Sequence, residues 1–285
     1  MNQKLFWIYL SSLESIARRK IYEVWKRKNE LNCQSYKEIC QLVGISKEQL
    51  EQIENLAYQS QIKRKLEWME KQKIFCLFLG EDTYPQALKE IYDPPVVLYG
   101  KGNIENLNQF SLAIVGCRQY SLYGKKMAYY LSEELSQKEV HIISGLARGI
   151  DTFAHEGCLR GKGKTIAVLG NGLDRIYPNE NRILAEEILE KKGTILSEYL
   201  VGTPPLKFHF PARNRLISGI SKGIIVIEAK EKSGTMITVD YGLEQGKNIF
   251  AVPGNVGEQN SIGTNRLIQE GAKMVTSIKD ILEEY

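Results

Sequence analysis

The chain has 285 residues, with 38 Lys and Arg against 34 Asp and Glu, which gives a formal net charge of +4. This length is enough for one large domain and a smaller one, and so weak a net charge means that an anionic ligand would need a local patch of cations. Because no apolar run approaches the ~20 residues that span a bilayer and the N-terminus lacks a signal-peptide pattern, we expect a cytoplasmic protein without a membrane partner.

Residues 1–70 are predicted to form a small all-helical domain. Apolar side chains recur at helical spacing, as at Trp7, Leu10 and Leu13. Ser46 precedes a further helical stretch and is a typical N-cap residue. Lys and Arg are frequent in this part, but acidic residues lie between them. The mixture is more typical of a solvated helix surface than of a nucleic-acid patch, although the sequence leaves both interpretations open.

Residues 71–285 are predicted to form an α/β domain with a Rossmann-like parallel sheet. Two short strands, at 74–79 and 96–99, lie in a connecting region that extends to residue 110. From residue 111 onward, apolar strands alternate with helices, which indicates a parallel sheet covered by helices on both faces. The later strands are predicted at 112–115, 140–143, 165–169, 194–196, 224–227, 249–252 and 273–275. The helices are predicted at 123–137, 150–159, 179–191, 236–244, 264–270 and 278–284.

Glycine-bearing turns follow five of these strands. In a parallel sheet all five turns would lie together at the carboxyl ends of the strands, which we call the ligand edge. Doubly wound sheets bind phosphate-bearing ligands at this edge, where backbone amides contact phosphates without side chains. Gly116 and Gly145 follow the first two parallel strands, and their turns also carry Arg118 and Arg148. We therefore predict that these four residues contribute to an anion-binding edge.

Three patterns that suggest an enzyme or a nucleotide site do not hold. Residues 161–165 (GKGKT) resemble a phosphate-binding loop, but a helix precedes them and a strand follows, which reverses the required order. The first parallel strand lacks the G-x-G-x-x-G of dinucleotide-binding proteins. Asp151 and His155 are four residues apart on a helix, where a cap and a structural hydrogen bond are commoner than a catalytic pair. The five cysteines contain no C-x-x-C pair and favour reduced thiols, so we predict no metal, cofactor or catalytic residue.

Cations and aromatic rings cluster after the strand at 194–196. This segment is predicted to be a loop at the ligand edge and contains Lys207, Phe210, Arg213 and Arg215. Cations that contact phosphates and rings that stack under bases are what proteins use to hold single-stranded nucleic acid. Pro211 restrains the backbone of Phe210, which lowers the entropy lost when a base stacks on the ring. A position in the core is the alternative, more so for Phe208 than for Phe210.

The ordered sequence blocks of this region resemble the DNA processing protein A family, also called DprA or Smf. The resemblance runs from about residue 84 to the C-terminus. The blocks include AIVGCR at 113–118, SGLARGID at 144–151, TIAVLGNGLD at 165–174, FPARNR at 210–215, SGT at 233–235, VPG at 252–254 and LIQEGA at 267–272. One block alone would be weak evidence, but this many in one order are specific to the family.

The resemblance implies a non-enzymatic protein that binds single-stranded DNA, protects incoming DNA and loads a RecA-type recombinase onto it during natural transformation. The DNA contacts that it implies are Arg118, Gly202, Lys207, Phe210 and Arg213. The family's N-terminal helical domain, of a SAM-like or helix-hairpin type, would correspond to residues 1–70, and we expect the winged-helix extension of some members to be absent. Cys117 stands where the family usually has serine and would place a free thiol, open to oxidation, at the DNA site.

Leu267 and Ile268 lie on a short helix near the chain end, where few neighbouring elements are available to cover them. We predict that they form the interface of a homodimer, as the resemblance also implies, and packing on the sheet is the alternative. The alternative function is that of a nucleotide-processing phosphoribohydrolase, an enzyme with a similar Rossmann core. Such enzymes carry a PGGxGT block followed by a glutamate, whereas residues 232–238 are KSGTMIT, so the DNA-binding protein is favoured.

Overall fold

The structure is a computed structural model that describes residues 3–28 and 36–285. The helices in these residues are α1 (Gln3–Ser11), α2 (Arg18–Lys26), α3 (Tyr36–Leu42), α4 (Lys47–Glu54), α5 (Leu56–Lys71), α6 (Leu122–Gln137), α7 (Ile150–Cys158), α8 (Arg182–Glu190), α9 (His209–Ile220), α10 (Gly234–Glu244), α11 (Ile262–Gln269) and α12 (Lys279–Leu282). The strands are β1 (Phe75–Phe78), β2 (Val97–Gly102), β3 (Ser111–Val115), β4 (His141–Ser144), β5 (Thr165–Leu169), β6 (Thr194–Ser197), β7 (Gly223–Val226), β8 (Asn248–Ala251) and β9 (Lys273–Met274).

The strands form one mixed sheet in the order β1-β2-β6-β5-β4-β3-β7-β8-β9. The strands from β3 onward pair in parallel, which confirms the predicted Rossmann-like sheet. β1 and β2 are antiparallel additions next to β6. The region that the sequence presented as a connection therefore extends the sheet at one edge.

Helices cover both faces of the sheet, as the uniformly apolar strands indicate. Alternate residues of a strand point to opposite faces. Leu112 and Ile114 of β3 belong to the buried cluster beneath α6 and α7, whereas Ala113 and Val115 belong to the cluster beneath α9 and α10. Every residue of β3 is thus buried, which is characteristic of a central parallel strand.

The N-terminal helices pack on the antiparallel edge of the same sheet. Trp7 and Leu10 of α1 lie in one buried cluster with Leu98 of β2 and Leu196 of β6. Ser46 caps α4 and forms the reciprocal pair of hydrogen bonds with Gln49 that defines a capping box, as its position in the sequence suggests. The helical character of this part is confirmed, and the division into two domains at residue 70 stays a prediction.

The order of the strands fixes where a ligand site is expected. β3 lies between β4 and β7, so the chain proceeds to one side of β3 first and then crosses to the other. Open α/β sheets bind ligands in the crevice at such a topological switch point, outside the carboxyl ends of the strands. Arg118 follows β3 directly and therefore lies at this point.

The described ranges lack the features of two other classes of protein. None of the helices in residues 3–28 and 36–285 has both the length and the apolar character needed to cross a membrane. The same residues contain no group of three or more His, Cys, Asp or Glu side chains arranged to hold a metal ion.

Candidate nucleic-acid interface

An open crevice of about 820 Å³ lies at the switch point. Its walls come from the turns after β3, β4 and β7 and from the beginning of α9. The predicted site residues that line it are Gly116, Arg118, Arg148, Lys207, Phe210 and Arg213. Residues that lie far apart in the sequence are thus brought together, and we call this surface the switch-point crevice.

Arg118 and Phe210 form a cation and an aromatic ring side by side in the switch-point crevice. Arg118 is exposed, and its guanidinium carbon lies 5.7 Å from the centre of the Phe210 ring. The ring of Tyr177 lies on another side of Phe210, with 5.5 Å between the ring centres. Phe210 is only half-buried, so part of its face is open to a ligand.

Phe210 belongs to a helix, whereas the sequence predicted a loop. α9 begins at His209, and Pro211 occupies its first turn, where the missing N–H has no partner to lose. The helix holds Phe210 against Gly170, at which an added Cβ would lie 3.0 Å from the ring. The alternative of a core position is wrong for Phe208, because Phe208 is 63% exposed.

Arg213 is a buried anchor and not an exposed phosphate contact. Its side chain is only 4% exposed and donates hydrogen bonds to the carbonyl oxygens of Gly145, at 2.8 Å, and Val168. Burial lowers the pKa of Arg213 to about 10, and the nearby Asp151 carboxylate opposes this shift. The guanidinium ties α9 to the carboxyl ends of β4 and β5, and its charge lies under the floor of the crevice.

Gly145 does not offer a free amide, which corrects its predicted role. Its N–H donates to Asp151 Oδ2 at 3.1 Å, and an added Cβ would lie 2.5 Å from Arg213 Nη2. The glycine is therefore needed because Arg213 and Asp151 approach its backbone closely. Asp151 thus accepts hydrogen bonds from the turn after β4 and does not cap α7, so the expected cap is absent. His155 contacts Thr165 Oγ1 at 2.6 Å, as expected for a structural hydrogen bond.

Arg215 was predicted at the ligand edge but is buried on the far side of α9. It is 2% exposed and bridges Asp93 Oδ2 at 3.0 Å and Glu198 Oε1 at 2.7 Å. Burial alone would lower the pKa of Arg215, but these two carboxylates raise it above its ordinary value. Arg18 of α2 also contacts Glu198, so the network joins the N-terminal helices to α9.

Three other predicted residues lie near the ligand edge and differ in exposure and in their hydrogen-bond partners. Lys207 is exposed in the switch-point crevice. Arg148 lines it too, but Arg148 is paired with Glu180, whose Oε2 accepts a hydrogen bond of 2.8 Å. Gly202 is exposed with a positive φ of 86°, lies outside the crevice, and donates its N–H to Asp174.

Close packing explains the glycine after β3 and affects the neighbouring thiol. A Cβ on Gly116 would lie 2.7 Å from Ile150, so α7 approaches this turn as closely as a glycine allows. Cys117 is buried, and burial raises the pKa of its thiol. A raised pKa means less thiolate at neutral pH, so the thiol is less reactive than its place beside Arg118 suggested.

The predicted dimer residues have different environments. Leu267 is buried in the same cluster as Val239 and Ala251, so the expectation that it is exposed was wrong. Ile268 is half-buried. Only Ile268 of the two is available for a contact with another chain.

Several residues that line the switch-point crevice were not predicted from the sequence, notably Tyr177, Lys230 and Asn214. Lys230 could have been predicted from the sequence, because it belongs to the glycine-bearing turn after β7. Tyr177 follows β5 by eight residues, and only the fold places its ring beside Phe210. Asn214 is on α9, whose helical form brings it to the same wall as Phe210.

The fold and the site together define a Rossmann-like binding protein with cations and aromatic rings at its topological switch point. The family described as DNA recombination-mediator protein A matches residues 75–285. The chain belongs to this family, whose members are DNA processing proteins.

Relatives of known sequence and structure agree with this assignment. The DNA processing protein DprA of Streptococcus pneumoniae is 47% identical over 216 residues, 76% of each chain, and that of Bacillus subtilis is 45% identical over 215 residues, 75% of this chain and 72% of the relative. The crystal structure of DprA from Streptococcus pneumoniae superposes with a TM-score of 0.87 at 40% identity, over 100% of this chain and 99% of that one. A Helicobacter pylori DprA, described for its single-stranded DNA binding mode, has a TM-score of 0.68 at 33% identity, over 75% of this chain and 97% of that one.

Proposed function

We propose that this chain binds single-stranded DNA, without sequence preference, in the switch-point crevice. The observation that carries the proposal is the pair formed by the exposed Arg118 and the half-open ring of Phe210. A cation for the phosphate and a ring for the base are the minimal unit of single-strand binding. Lys207 adds an exposed cation to the same crevice. The Helicobacter pylori relative, described as binding single-stranded DNA, supports the same ligand here.

The proposal is of a binding protein and not of an enzyme. The two residues that most resemble a catalytic pair, Asp151 and His155, are both buried and engaged in separate hydrogen bonds. Burial lowers the pKa of His155 to about 3, so the ring is neutral at physiological pH and far from the value that suits a general acid or base.

We place this binding activity in the cytoplasm, in DNA recombination during natural transformation. A homodimer of the chain would protect incoming single strands and hand them to a RecA-type recombinase. The description of the family as recombination mediators supports the hand-over. Exposed apolar side chains near the C-terminus, Ile262 and Met274, support a contact between two copies.

A fluorescence-anisotropy titration with labelled oligo-dT tests the proposal. Arg118→Ala should lower the affinity at least about tenfold and reduce the slope of log K against log salt by about 0.7, because one phosphate contact is lost. Lys162→Ala is the matched control, since Lys162 is also an exposed cation but precedes β5 at the opposite edge of the sheet. Equal affinities of the Arg118→Ala variant and the unmodified protein, with unchanged circular dichroism, would contradict the assignment.

A further inference from the structure

The outer face of α6 carries a second concave surface that the proposed function does not use. Its volume is about 770 Å³, and its lining residues are Leu122, Tyr123, Lys125, Lys126, Tyr129, Tyr130 and Glu133. Leu122 is 80% exposed, and Tyr123 and Tyr130 are each 46% exposed. So many large apolar side chains on one exposed helix face indicate a binding surface. We call it the tyrosine groove.

Two of the rings in the tyrosine groove are held in place by contacts with neighbouring elements. The hydroxyl of Tyr123 donates to the carbonyl oxygen of Pro253 at 3.0 Å. The hydroxyl of Tyr129 is hydrogen-bonded to Glu156, and the guanidinium of Arg160 lies 5.0 Å from its ring centre. Rings that are already fixed lose little conformational entropy when a flat partner stacks on them.

The charge of the tyrosine groove favours an anionic partner. Lys125 and Lys126 both line it, and neither forms an ion pair among the described residues. Lys126 is exposed, whereas Lys125 is half-buried and its ammonium lies 5.0 Å from the centre of the Phe153 ring. The acidic residue in its wall, Glu133, lies 4.0 Å from the Arg160 guanidinium, which offsets its charge. An apolar peptide helix would need only the apolar rings to bind here. Rings that alternate with cations instead match the bases and phosphates of a single strand.

The tyrosine groove continues from the switch-point crevice along the chain itself. Arg118 lines the crevice and Leu122 begins the groove, and four residues can separate them by at most ~14 Å. Between them, Tyr120 is exposed and packs edge-on against Phe153, with 4.6 Å between the ring centres. The segment that connects the two surfaces in the sequence therefore carries a further exposed ring.

We propose that the tyrosine groove is a second subsite for single-stranded DNA, which holds the part of the strand that leaves the switch-point crevice past Arg118. This inference rests on the proposed function and extends it. Bases stack on Tyr123, whose ring is fixed, and on the exposed ring of Tyr130, and the exposed Lys126 contacts a phosphate. The total site then spans more nucleotides than the crevice alone holds.

The test compares oligo-dT lengths with a groove variant. The double variant Lys126→Gln/Tyr130→Ser removes one cation and one exposed ring. We expect it to bind an oligomer of about 15 nucleotides about tenfold more weakly, and one of about 5 nucleotides like the unmodified protein, because only the longer strand reaches the groove. The double variant Tyr92→Ser/Lys162→Gln is the matched control, since both residues are exposed and neither lines the crevice or the groove.

The outcomes separate this inference from the proposed function. Unchanged affinity of the groove variant for the long oligomer, while Arg118→Ala weakens both lengths, would overturn the subsite and leave the proposed function standing. An equal loss for both lengths would mean that the substitutions act through the crevice or the fold, and would also overturn it. A groove variant with normal DNA binding but altered mass in light scattering would assign the face to a contact between copies. Failure of the unmodified protein to bind either oligomer would overturn both proposals.

Discussion

Among the cations of the switch-point crevice, burial and pairing decide which can meet a phosphate. Arg118 and Lys207 are exposed, and Lys230 is half-buried and donates to Gln119. Arg148 is held by Glu180, and Arg213 donates to two backbone carbonyls. Residues of the same type, within one crevice, thus have different roles. The exposed pair should carry the salt dependence of binding, and Arg213 should carry the geometry of α9.

Phe210→Ala tests whether a base stacks on this ring. We expect a loss of roughly 1–3 kcal/mol in binding free energy, with little dependence on salt, because stacking releases no counterions. Lys207→Ala, in the same crevice, is the contrasting variant, and its effect should diminish as salt is raised. A lower melting temperature of Phe210→Ala with normal DNA affinity would show that the ring serves the core.

His155 should make the fold sensitive to acid. Its pKa is lowered to about 3 by burial, so below its unfolded pKa of 6.5 only the unfolded chain takes up the proton. Its contribution to stability is therefore complete above pH 6.5 and declines as the pH falls from there towards 3. Between pH 7 and pH 5 the free energy of unfolding should fall by about 2 kcal/mol because of this histidine.

The measurement is the free energy of unfolding by urea at the two pH values. His155→Gln has no titrating ring, so it should lose about 2 kcal/mol less than the unmodified protein over this interval, whatever its stability at pH 7. Parallel pH dependences of the two proteins would refute the assignment. The other histidines are present in both proteins and cancel in the comparison.

Helix α9 connects the switch-point crevice to the interior of the protein. Its first turn presents Phe210, its middle anchors Arg213 under the crevice floor, and Arg215 ties its inner face to Asp93 and Glu198. Arg215→Ala should therefore lower the free energy of unfolding by about 3 kcal/mol, since it removes a buried guanidinium that pairs with two carboxylates, Asp93 and Glu198, that water reaches only in part.

Denaturant titration checks the prediction for Arg215, with Arg18→Ala as the control. Arg18 also contacts Glu198 but is partly exposed, so its removal should cost no more than about 1 kcal/mol. Single-strand affinity of the folded Arg215→Ala variant should stay close to normal. If the Arg215→Ala variant keeps its stability but loses DNA binding, Arg215 contributes to the DNA interface.

The sequence predicts the strands well because nearly all of them are uniformly apolar, and the predicted segment 165–169 coincides with β5. It placed Phe210, Arg213 and Arg215 in a loop, whereas they lie in α9, whose first turn tolerates Pro211. The burial of Arg215 could not be predicted from the sequence, for a different reason. Its partner Asp93 is 122 residues away, and only the packing of α9 brings the two together. Local pattern thus identifies the ligand edge, and long-range pairing decides which of its arginines are free.

For the whole molecule we predict a homodimer that Ile268→Glu converts to a monomer. Ile268 is half-buried, and exposed apolar residues lie nearby in sequence at Ile262 and Met274. Two copies would place two crevices on one symmetric particle, so the monomeric variant should bind long single strands more weakly.

Light scattering at tens of micromolar measures the oligomeric state, and a monomeric unmodified protein would contradict the prediction. Leu267→Glu is a useful comparison, because Leu267 is buried and its charged variant should unfold instead of dissociating. If both variants unfold, Ile268 packs on the sheet and the interface lies elsewhere.

The position of β2 in the sheet has a consequence for synthesis on the ribosome. β2 pairs with β6, but Thr194 follows Gly102 by about 90 residues, which at 5–20 residues per second takes roughly 5–20 seconds to translate. During that interval the apolar faces of β1, β2 and the N-terminal helices have no completed sheet to cover them. The nascent chain thus exposes its N-terminal third to chaperones and proteases until β6 emerges, and slowing translation between these strands should lower the yield of folded protein.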